Sequence, residues 1–156
     1  MSPFREYAQL FTLPILATVV YFLLYYSFIL IHLKVKQAAK LKAQQKIVEG
    51  APAELYSHAR NAPGVAGDLN FIRADRTVLN MLEQMPAFLC SLWLFSLFVS
   101  PLWGGLLGFA YIFGRIFYYP LYYRVRLLSL LVTYPNYAIV WVLLGGTALS
   151  LLGGAG

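Results

Sequence analysis

Four long apolar stretches, separated by polar or turn-forming segments, dominate the pattern along the chain. The first runs from about residue 7 to 33 and contains no charged residue after Glu6, and the others cover about 77–99, 102–123 and 130–152. Each stretch has the length of a helix that crosses the bilayer, which needs roughly 20 residues. The pattern therefore predicts an all-α membrane protein, a single domain over residues 1–156 built as a bundle of four transmembrane helices.

The segments between these stretches also carry signals. The basic, helix-favouring segment 34–46 predicts that the first helix continues beyond the membrane, and the prolines and glycines of 49–69 predict a surface loop. Asp68 or Asn70 can cap the start of the second helix. Ser100-Pro101, followed by two glycines, predicts a very short turn, so the second and third helices are expected to form an antiparallel hairpin.

The charges set an expected orientation. Hydrophobic residues make up 60% of the 156 residues and charged ones only 12%, half the usual share for a soluble domain, about 25%. The bases cluster in the loop of about 34–72, and Arg124 and Arg126 lie between the third and fourth stretches. The positive-inside rule places both basic segments in the cytoplasm and both termini on the other side.

The basic loop also suggests partners. We expect it to contact anionic lipid headgroups, and we expect no nucleic-acid partner because the aromatic residues lie in the apolar stretches. The chain has no evident retrieval signal, which favours a bacterial inner membrane over the endoplasmic reticulum.

Cysteine and histidine are scarce. Cys90 is the single cysteine, and His32 and His58 are the only histidines, with His58 in the polar loop. One thiol cannot form an internal disulfide, and two histidines so placed cannot face each other across a haem. We therefore expect no dithiol redox site and no metal or haem.

A polar stripe marks the start of the second helix. Arg73, Arg76, Asn80 and Glu83 fall on one face at helical spacing, about 80° wide. Ionisable groups at the edge of a membrane usually pair with one another or line a binding site. On this helix alone, a ligand site and a set of structural ion pairs are equally compatible with the pattern.

A second stripe on the third helix favours the ligand site. Arg115, Tyr118 and Tyr122 follow at i, i+3 and i+7 at the same predicted end. The two stripes together offer guanidinium, carboxylate, amide and phenol groups. Arginine binds carboxylates through two parallel hydrogen bonds, and glutathione carries two carboxylates, an amine, two amides and a thiol. These residues therefore suit a small zwitterionic ligand with an excess of carboxylate, and glutathione has this pattern.

The two stripes lie in segments that resemble the MAPEG family, the membrane-associated proteins in eicosanoid and glutathione metabolism. RADRTVLNMLEQMPAFLCSLW carries the second-helix spacing R-x3-N-x2-E-x2-P, and GFAYIFGRIFYYPLYY carries the third-helix spacing R-x2-Y-x3-Y. The resemblance covers about a third of the chain. It implies a homotrimer with glutathione bound between neighbouring subunits near the cytoplasmic side. The implied contacts are Arg76, Asn80, Glu83, Tyr118 and Tyr122, with Lys34 or Lys36 from the end of the first helix.

The resemblance also implies a function. Members conjugate glutathione to lipophilic electrophiles, reduce lipid hydroperoxides, isomerise prostaglandin endoperoxides, or bind lipid without catalysis. We expect a membrane glutathione transferase or peroxidase, with glutathione as co-substrate and a lipophilic small molecule as the second substrate. Arg126 or Arg124 is expected to stabilise the glutathione thiolate, with Tyr118 or Tyr122 as the alternative donor.

One departure supports an alternative. Catalytic members that resemble the leukotriene-forming synthases carry an arginine about seven residues after the second tyrosine, where this chain has Ser129. That difference favours a non-catalytic scaffold that binds lipid or glutathione on the same fold. A small four-helix transporter is a third possibility, but such proteins usually carry an acidic residue in mid-membrane in the first helix, and this chain has none there.

Overall fold

The computed structural model describes residues 8–48, 69–121 and 126–154 of the chain. Its four helices are α1 (Thr12–Val48), α2 (Leu69–Phe98), α3 (Pro101–Leu121) and α4 (Arg126–Gly153). Within the described ranges no residue belongs to a strand. The predicted all-α class is therefore confirmed, and α1 continues well past the apolar stretch that ends at residue 33, as the basic segment predicts.

The chain divides into two compact units. The first comprises residues 1–24 and 82–156, and the second comprises residues 25–81. The start of α1, the C-terminal part of α2 and all of α3 and α4 therefore belong to the first unit. The remainder of α1 and the N-terminal part of α2 form the second unit.

In the first unit, α2 and α3 form the antiparallel hairpin that the sequence predicts. A Cβ atom added at Gly108 would lie 3.1 Å from Leu92, and one turn further along α3 the ring of Tyr111 stacks on Phe88 with 4.0 Å between centroids. Residue numbers rise along α3 as they fall along α2, which defines the antiparallel register. The absence of a side chain at Gly108 allows the two helices to approach closely.

The turn between these helices has ordinary capping chemistry. The hydroxyl of Ser100 accepts a 3.4 Å hydrogen bond from the backbone N–H of Trp103, and its carbonyl accepts one from Gly104 at 3.0 Å. Pro101 occupies the first helical position, where its missing N–H costs nothing and its fixed φ suits a helix. Ser100 therefore ends one helix and starts the next within two residues.

The other two helices of the first unit continue the alternation of direction. A Cβ atom at Gly105 of α3 would meet Leu13 of α1, and one at Gly108 would lie 3.0 Å from Ala17. Residue numbers therefore rise together along the two helices, so α1 runs parallel to α3. The Ser150 hydroxyl of α4 donates a 2.9 Å hydrogen bond to the carbonyl of Phe98. Gln84 and Tyr137 bond at the other end of the same two helices, so α2 and α4 are also parallel. The four helices alternate up and down.

The second unit has a small apolar core of its own. Ala39 and Phe71 are buried against each other, with Val35 packed on the pair. The ring of His32 meets Phe71 edge-on, 5.6 Å between centroids. These contacts fix the helical extension of α1 against the polar start of α2.

Three of the helices are long and apolar enough to cross a membrane within the part of the chain that is described. They are Thr12–Lys42, Asn70–Phe98 and Thr133–Gly153. The predicted third span falls on α3, which is not among the three spans found in the described residues. Four crossings therefore remain a prediction, and a test is given in the Discussion.

Candidate functional site

The predicted stripe on α2 lies mostly away from the packed face of that helix. Arg76 and Glu83 are exposed, and Arg73 and Asn80 are half-buried. The packed face is formed instead by small and apolar side chains, among which Ala74, Thr77 and Met81 are almost fully buried. The guanidinium of Arg76 and the carboxylate of Glu83 are thus available to a ligand or to another protein surface.

A second polar pair lies beside this stripe, and sequence spacing gave no signal for it. Nδ1 of His32 lies 3.9 Å from a carboxylate oxygen of Asp75, and both side chains are about one-fifth exposed. The two residues come from α1 and α2 within the second unit. Lys34, the predicted basic contact from the end of the first helix, is exposed two residues further along α1.

The described residues of the predicted stripe on α3 are buried within the first unit, whereas Arg76 and Glu83 of the α2 stripe are exposed. Arg115 is only 1% exposed and Tyr118 is 6% exposed. A guanidinium N–H of Arg115 donates a 2.7 Å hydrogen bond to the hydroxyl of Tyr111. The guanidinium carbon also lies 4.9 Å from the ring centroid of Tyr111 and 5.9 Å from that of Tyr118, within the range of cation–π attraction.

Tyr111 is itself fixed by aromatic packing. Its ring is fully buried and lies nearly parallel to that of Phe88, with 6° between the planes. Tyr21 of α1 packs against both rings, at 5.0 Å from Phe88 and 6.3 Å from Tyr111. The buried arginine therefore lies against Tyr111, whose ring stacks on Phe88 and is packed by the tilted ring of Tyr21, so α1, α2 and α3 all contribute to this cluster.

The hairpin register brings part of the two stripes to one level. Phe88 lies opposite Tyr111, and continuing the antiparallel register by one to two turns brings Glu83 level with Arg115 and Tyr118. Glu83 is nevertheless exposed, while Arg115 and Tyr118 are buried. Within the first unit, Glu83 thus lies at the depth of Arg115 and Tyr118 but is exposed where they are buried.

Other predicted site residues lie outside what the structure describes. Tyr122 and Arg124 fall in the segment 122–125, and the side chains of Arg126 and Ser129 are likewise outside the described set, although both residues belong to α4. Their predicted roles stay predictions.

Two further polar residues of the first unit accompany Arg115. Gln84, which follows Glu83, donates a 3.0 Å hydrogen bond to the hydroxyl of Tyr137 on α4. Asn136 is 2% exposed, and a Cβ atom at Gly114 would meet its side-chain oxygen. Sequence reasoning missed both residues, because single polar residues in an apolar helix show no periodicity.

The described residues offer acid, base and phenol groups for a polar ligand. Among them, no group of three or more histidine, cysteine, aspartate or glutamate side chains is close enough to hold a metal ion. Cys90 is a free, exposed thiol on α2. The charged groups exposed for hydrogen bonding and charge pairing are those of Arg76 and Glu83, whereas Arg115 and Tyr118 are buried.

Comparison with known proteins agrees with these features. The sequence model of the MAPEG family matches residues 14–150. Leukotriene C4 synthase of Mus musculus is 33% identical over 90 residues, which cover 58% of this chain and 60% of the relative. The same synthase of Cavia porcellus is 31% identical over 96 residues, 62% of this chain and 64% of the relative.

A third relative has no stated activity. It is an uncharacterised protein of Synechocystis, 39% identical over 62 residues that cover 40% of this chain and 45% of that protein. The chain thus spans less than two thirds of the length of the two synthases, 60% for mouse and 64% for guinea pig.

Proposed function

Because this chain belongs to the MAPEG family of integral membrane proteins, we propose that it is a glutathione-dependent transferase or peroxidase that acts on lipophilic electrophiles or lipid hydroperoxides. The relatives named leukotriene C4 synthase support the proposal that this chain is an enzyme. Glutathione is the water-soluble co-substrate, and the lipophilic substrate reaches the site from the bilayer.

The observation that carries the proposal is the exposure of Arg76 and Glu83 on a helix that is apolar enough to cross a membrane. A charged side chain inside a membrane costs about 2.5–3.5 kcal/mol at the centre of a span, and such groups usually face a partner or a polar cavity. A ligand with carboxylates and an ammonium group satisfies both charges at once. Glutathione has both.

These residues also support a site completed by a second copy of the chain. In the homotrimer that the family resemblance implies, the outward face of α2 meets a neighbouring subunit, and glutathione lies between them. Arg76 and Asn80 then bind a carboxylate and an amide, and Glu83 binds the ammonium. Tyr118 and Tyr122 supply hydroxyl donors, while Arg73, Arg115 and Lys34 add positive charge.

The reaction requires the glutathione sulfur as a thiolate. A free thiol of this type has a pKa of about 8.5, so only a few per cent is ionised at neutral pH. A cationic or phenolic donor near the sulfur stabilises the anion, and we assign this role to Arg126 or Arg124, with Tyr118 as the alternative. The thiolate then forms a carbon–sulfur bond with the electrophile as the leaving group departs.

The proposal is tested by thermal unfolding of the detergent-purified protein. Glutathione at about ten times its Kd should stabilise the folded state by roughly 1.4 kcal/mol, which is measured as a rise in Tm. Arg76→Ala and Glu83→Gln should each weaken affinity by about 10- to 100-fold, because each removes a charged hydrogen-bonding group. Lys40→Ala removes an exposed positive charge of α1 outside the site and should leave the shift unchanged.

The second measurement separates an enzyme from a non-catalytic protein. The purified protein is incubated with glutathione and chlorodinitrobenzene, a general lipophilic electrophile, and chloride displacement is followed by absorbance. Turnover that disappears in Arg76→Ala supports the transferase. The absence of any glutathione-dependent rise in Tm would defeat the glutathione proposal.

The alternative function is a scaffold on the same fold that binds glutathione or lipid without catalysis. Ser129 favours it, because an arginine is expected at that position in catalytic members. The scaffold predicts a glutathione-dependent rise in Tm without turnover of the electrophile.

A further inference from the structure

The strongest unassigned feature of the first unit is the buried arginine of α3 and the tyrosine that holds it. Sequence spacing alone groups Arg115 with the glutathione contacts. In the structure Arg115 is 1% exposed, and its guanidinium donates a 2.7 Å hydrogen bond to the hydroxyl of Tyr111. A donor that is already bonded inside the helix bundle is poorly placed to bind a ligand that arrives from water.

From this arrangement we infer that Tyr111 and Arg115 are positioning residues that hold Tyr118 in place for glutathione. The inference rests on the proposed function, in which Tyr118 contacts glutathione. It assigns Arg115 a role through another side chain, and it adds Tyr111, which flanks the polar face of α3 in the sequence but is not among the predicted glutathione contacts.

The helical spacing makes the arrangement possible. Tyr111, Arg115 and Tyr118 occupy positions i, i+4 and i+7, so the three side chains stack along one face of α3. The guanidinium carbon lies 4.9 Å from the ring centroid of Tyr111 and 5.9 Å from that of Tyr118, so the cation contacts both phenol rings. Any reorientation of Arg115 therefore changes the surface on which the Tyr118 ring rests.

Tyr111, at the N-terminal end of the row formed by Tyr111, Arg115 and Tyr118, is tightly packed. Tyr111 is 0% exposed and its ring stacks on Phe88 at 4.0 Å, with Tyr21 packed against both. The hydroxyl of Tyr111 is consequently a fixed acceptor, and a charge-assisted hydrogen bond to it fixes the guanidinium in turn. Residues of α1, α2 and α3 thus hold Tyr111 in place, and Tyr111 holds the guanidinium of Arg115.

Tyr118, at the C-terminal end of the same row, lies where the helix itself holds a side chain less firmly. Tyr118 lies three residues before the end of α3 at Leu121, and Pro120 removes one backbone donor from that last turn. The last turn of a helix has unsatisfied carbonyl groups and tends to fray. A ring packed against an anchored guanidinium keeps the Tyr118 hydroxyl in one direction despite its position near the helix end.

The test is a double-mutant cycle on glutathione affinity, measured by calorimetric titration of the detergent-purified full chain well below the melting temperature of each variant. Tyr111→Phe keeps the stacked ring and removes only the acceptor hydroxyl, and we expect it to raise the Kd for glutathione about 5- to 10-fold. Tyr118→Phe should raise it at least as much. The double variant should bind like Tyr118→Phe alone, because Tyr111 acts through Tyr118.

A purely structural role of Tyr111 gives a different result. It would raise Kd by the same factor with tyrosine or phenylalanine at position 118, and that additivity would overturn the inference. An unchanged Kd in either single variant would overturn it as well. The matched control is Tyr134→Phe, which removes a hydroxyl from an exposed tyrosine of α4 and should leave Kd unchanged.

The outcomes also separate the inference from the proposed function. If the unmodified protein does not bind glutathione, the proposed function and this inference both fail. If it binds, and Arg76→Ala weakens binding while the cycle is additive, the proposed function stands and the positioning role is wrong.

Discussion

The side-chain amide of Gln84 on α2 donates a 3.0 Å hydrogen bond to the hydroxyl of Tyr137 on α4, 53 residues further along the chain. The two helices are parallel and belong to the first unit, and Gln84 is the residue that follows Glu83. The bond therefore ties the α2 segment that presents Glu83 to the fourth helix. Hydrogen bonds between transmembrane helices contribute about 0.6 kcal/mol on average, with a maximum of about 1.7.

We expect Gln84 and Tyr137 to be energetically coupled. Gln84→Met and Tyr137→Phe keep similar volumes and remove one partner each, so each should lower the free energy of unfolding. The double variant should lose less than the sum, by about 0.6 kcal/mol, because the bond can be lost only once. Reversible unfolding in mixed micelles measures the three values, and strictly additive losses would contradict the coupling.

The close approach of α1 and α3 gives a second prediction. A Cβ atom at Gly105 would meet the side chain of Leu13, and the backbone carbon of Leu13 would lie 2.9 Å away. Since backbone cannot move aside as a side chain can, Gly105→Ala should destabilise the protein by about 1–3 kcal/mol. The expected result is a lower Tm of the detergent-purified protein.

Gly145 provides the matched control for that substitution. It also lies within a helix, α4, but a Cβ atom there would meet nothing within 4 Å. Gly145→Ala should be neutral or stabilise the helix by up to about 1 kcal/mol, because alanine has the higher helix propensity. Equal losses of Tm for Gly105→Ala and Gly145→Ala would argue against the close contact between α1 and α3.

The sequence predicts helix ends better than helix faces. Ser100-Pro101 is a local signal, and α2 ends at Phe98 and α3 begins at Pro101 as it predicts. Periodicity shows that Arg73, Arg76, Asn80 and Glu83 share a face, but it cannot show whether that face turns inward. The packing of Ala74, Thr77 and Met81 decides this question for α2.

The interior of the first unit was harder to predict for a different reason. Spacing along α3 places Arg115, Tyr118 and Tyr122 on one face, but it does not show whether that face is buried in the bundle or meets a ligand. The burial of Arg115 depends on Tyr111 and Phe88, which meet only through the register of the hairpin. The pair of His32 and Asp75 is likewise a contact between separate helices, invisible to spacing along either one.

The thiolate donors proposed from the family resemblance give a third prediction. Replacing both Arg124 and Arg126 with alanine removes two guanidinium groups, so the fraction of bound glutathione present as thiolate at neutral pH should fall. The ultraviolet absorbance of the thiolate in the glutathione complex measures this fraction. Ser129→Ala removes no charge and serves as the control, for which the thiolate signal should stay unchanged.

That experiment also decides between donors. Loss of the signal in the double arginine variant, with normal signal in Tyr118→Phe, supports an arginine as the donor. A signal that survives the loss of both arginines removes them from the mechanism. If it disappears in Tyr118→Phe instead, the phenol hydroxyl is the donor.

The final prediction concerns the number of membrane crossings. The predicted loop, residues 49–68, is separated from the C-terminus by α2, α3 and α4. If all three helices cross the membrane, the loop and the C-terminus lie on opposite sides. If α3 does not cross, they lie on the same side. The positive-inside rule predicts that this basic segment lies in the cytoplasm, and with four crossings it then predicts a C-terminus outside.

Reporter fusions in a bacterial host measure these positions. Alkaline phosphatase, which folds only outside the cytoplasm, should be active when it is fused after Gly153 and inactive when it replaces the chain after Gly64. A green fluorescent protein, which becomes fluorescent in the cytoplasm, should give the reverse pattern. Fluorescence from both fusion points would mean that α3 does not cross, and that Arg115 and Tyr118 lie on a helix outside the hydrocarbon core. The alternating directions of the four helices in the first unit favour the four-crossing result, because α1 and α3 run parallel while α2 and α4 run in the opposite direction.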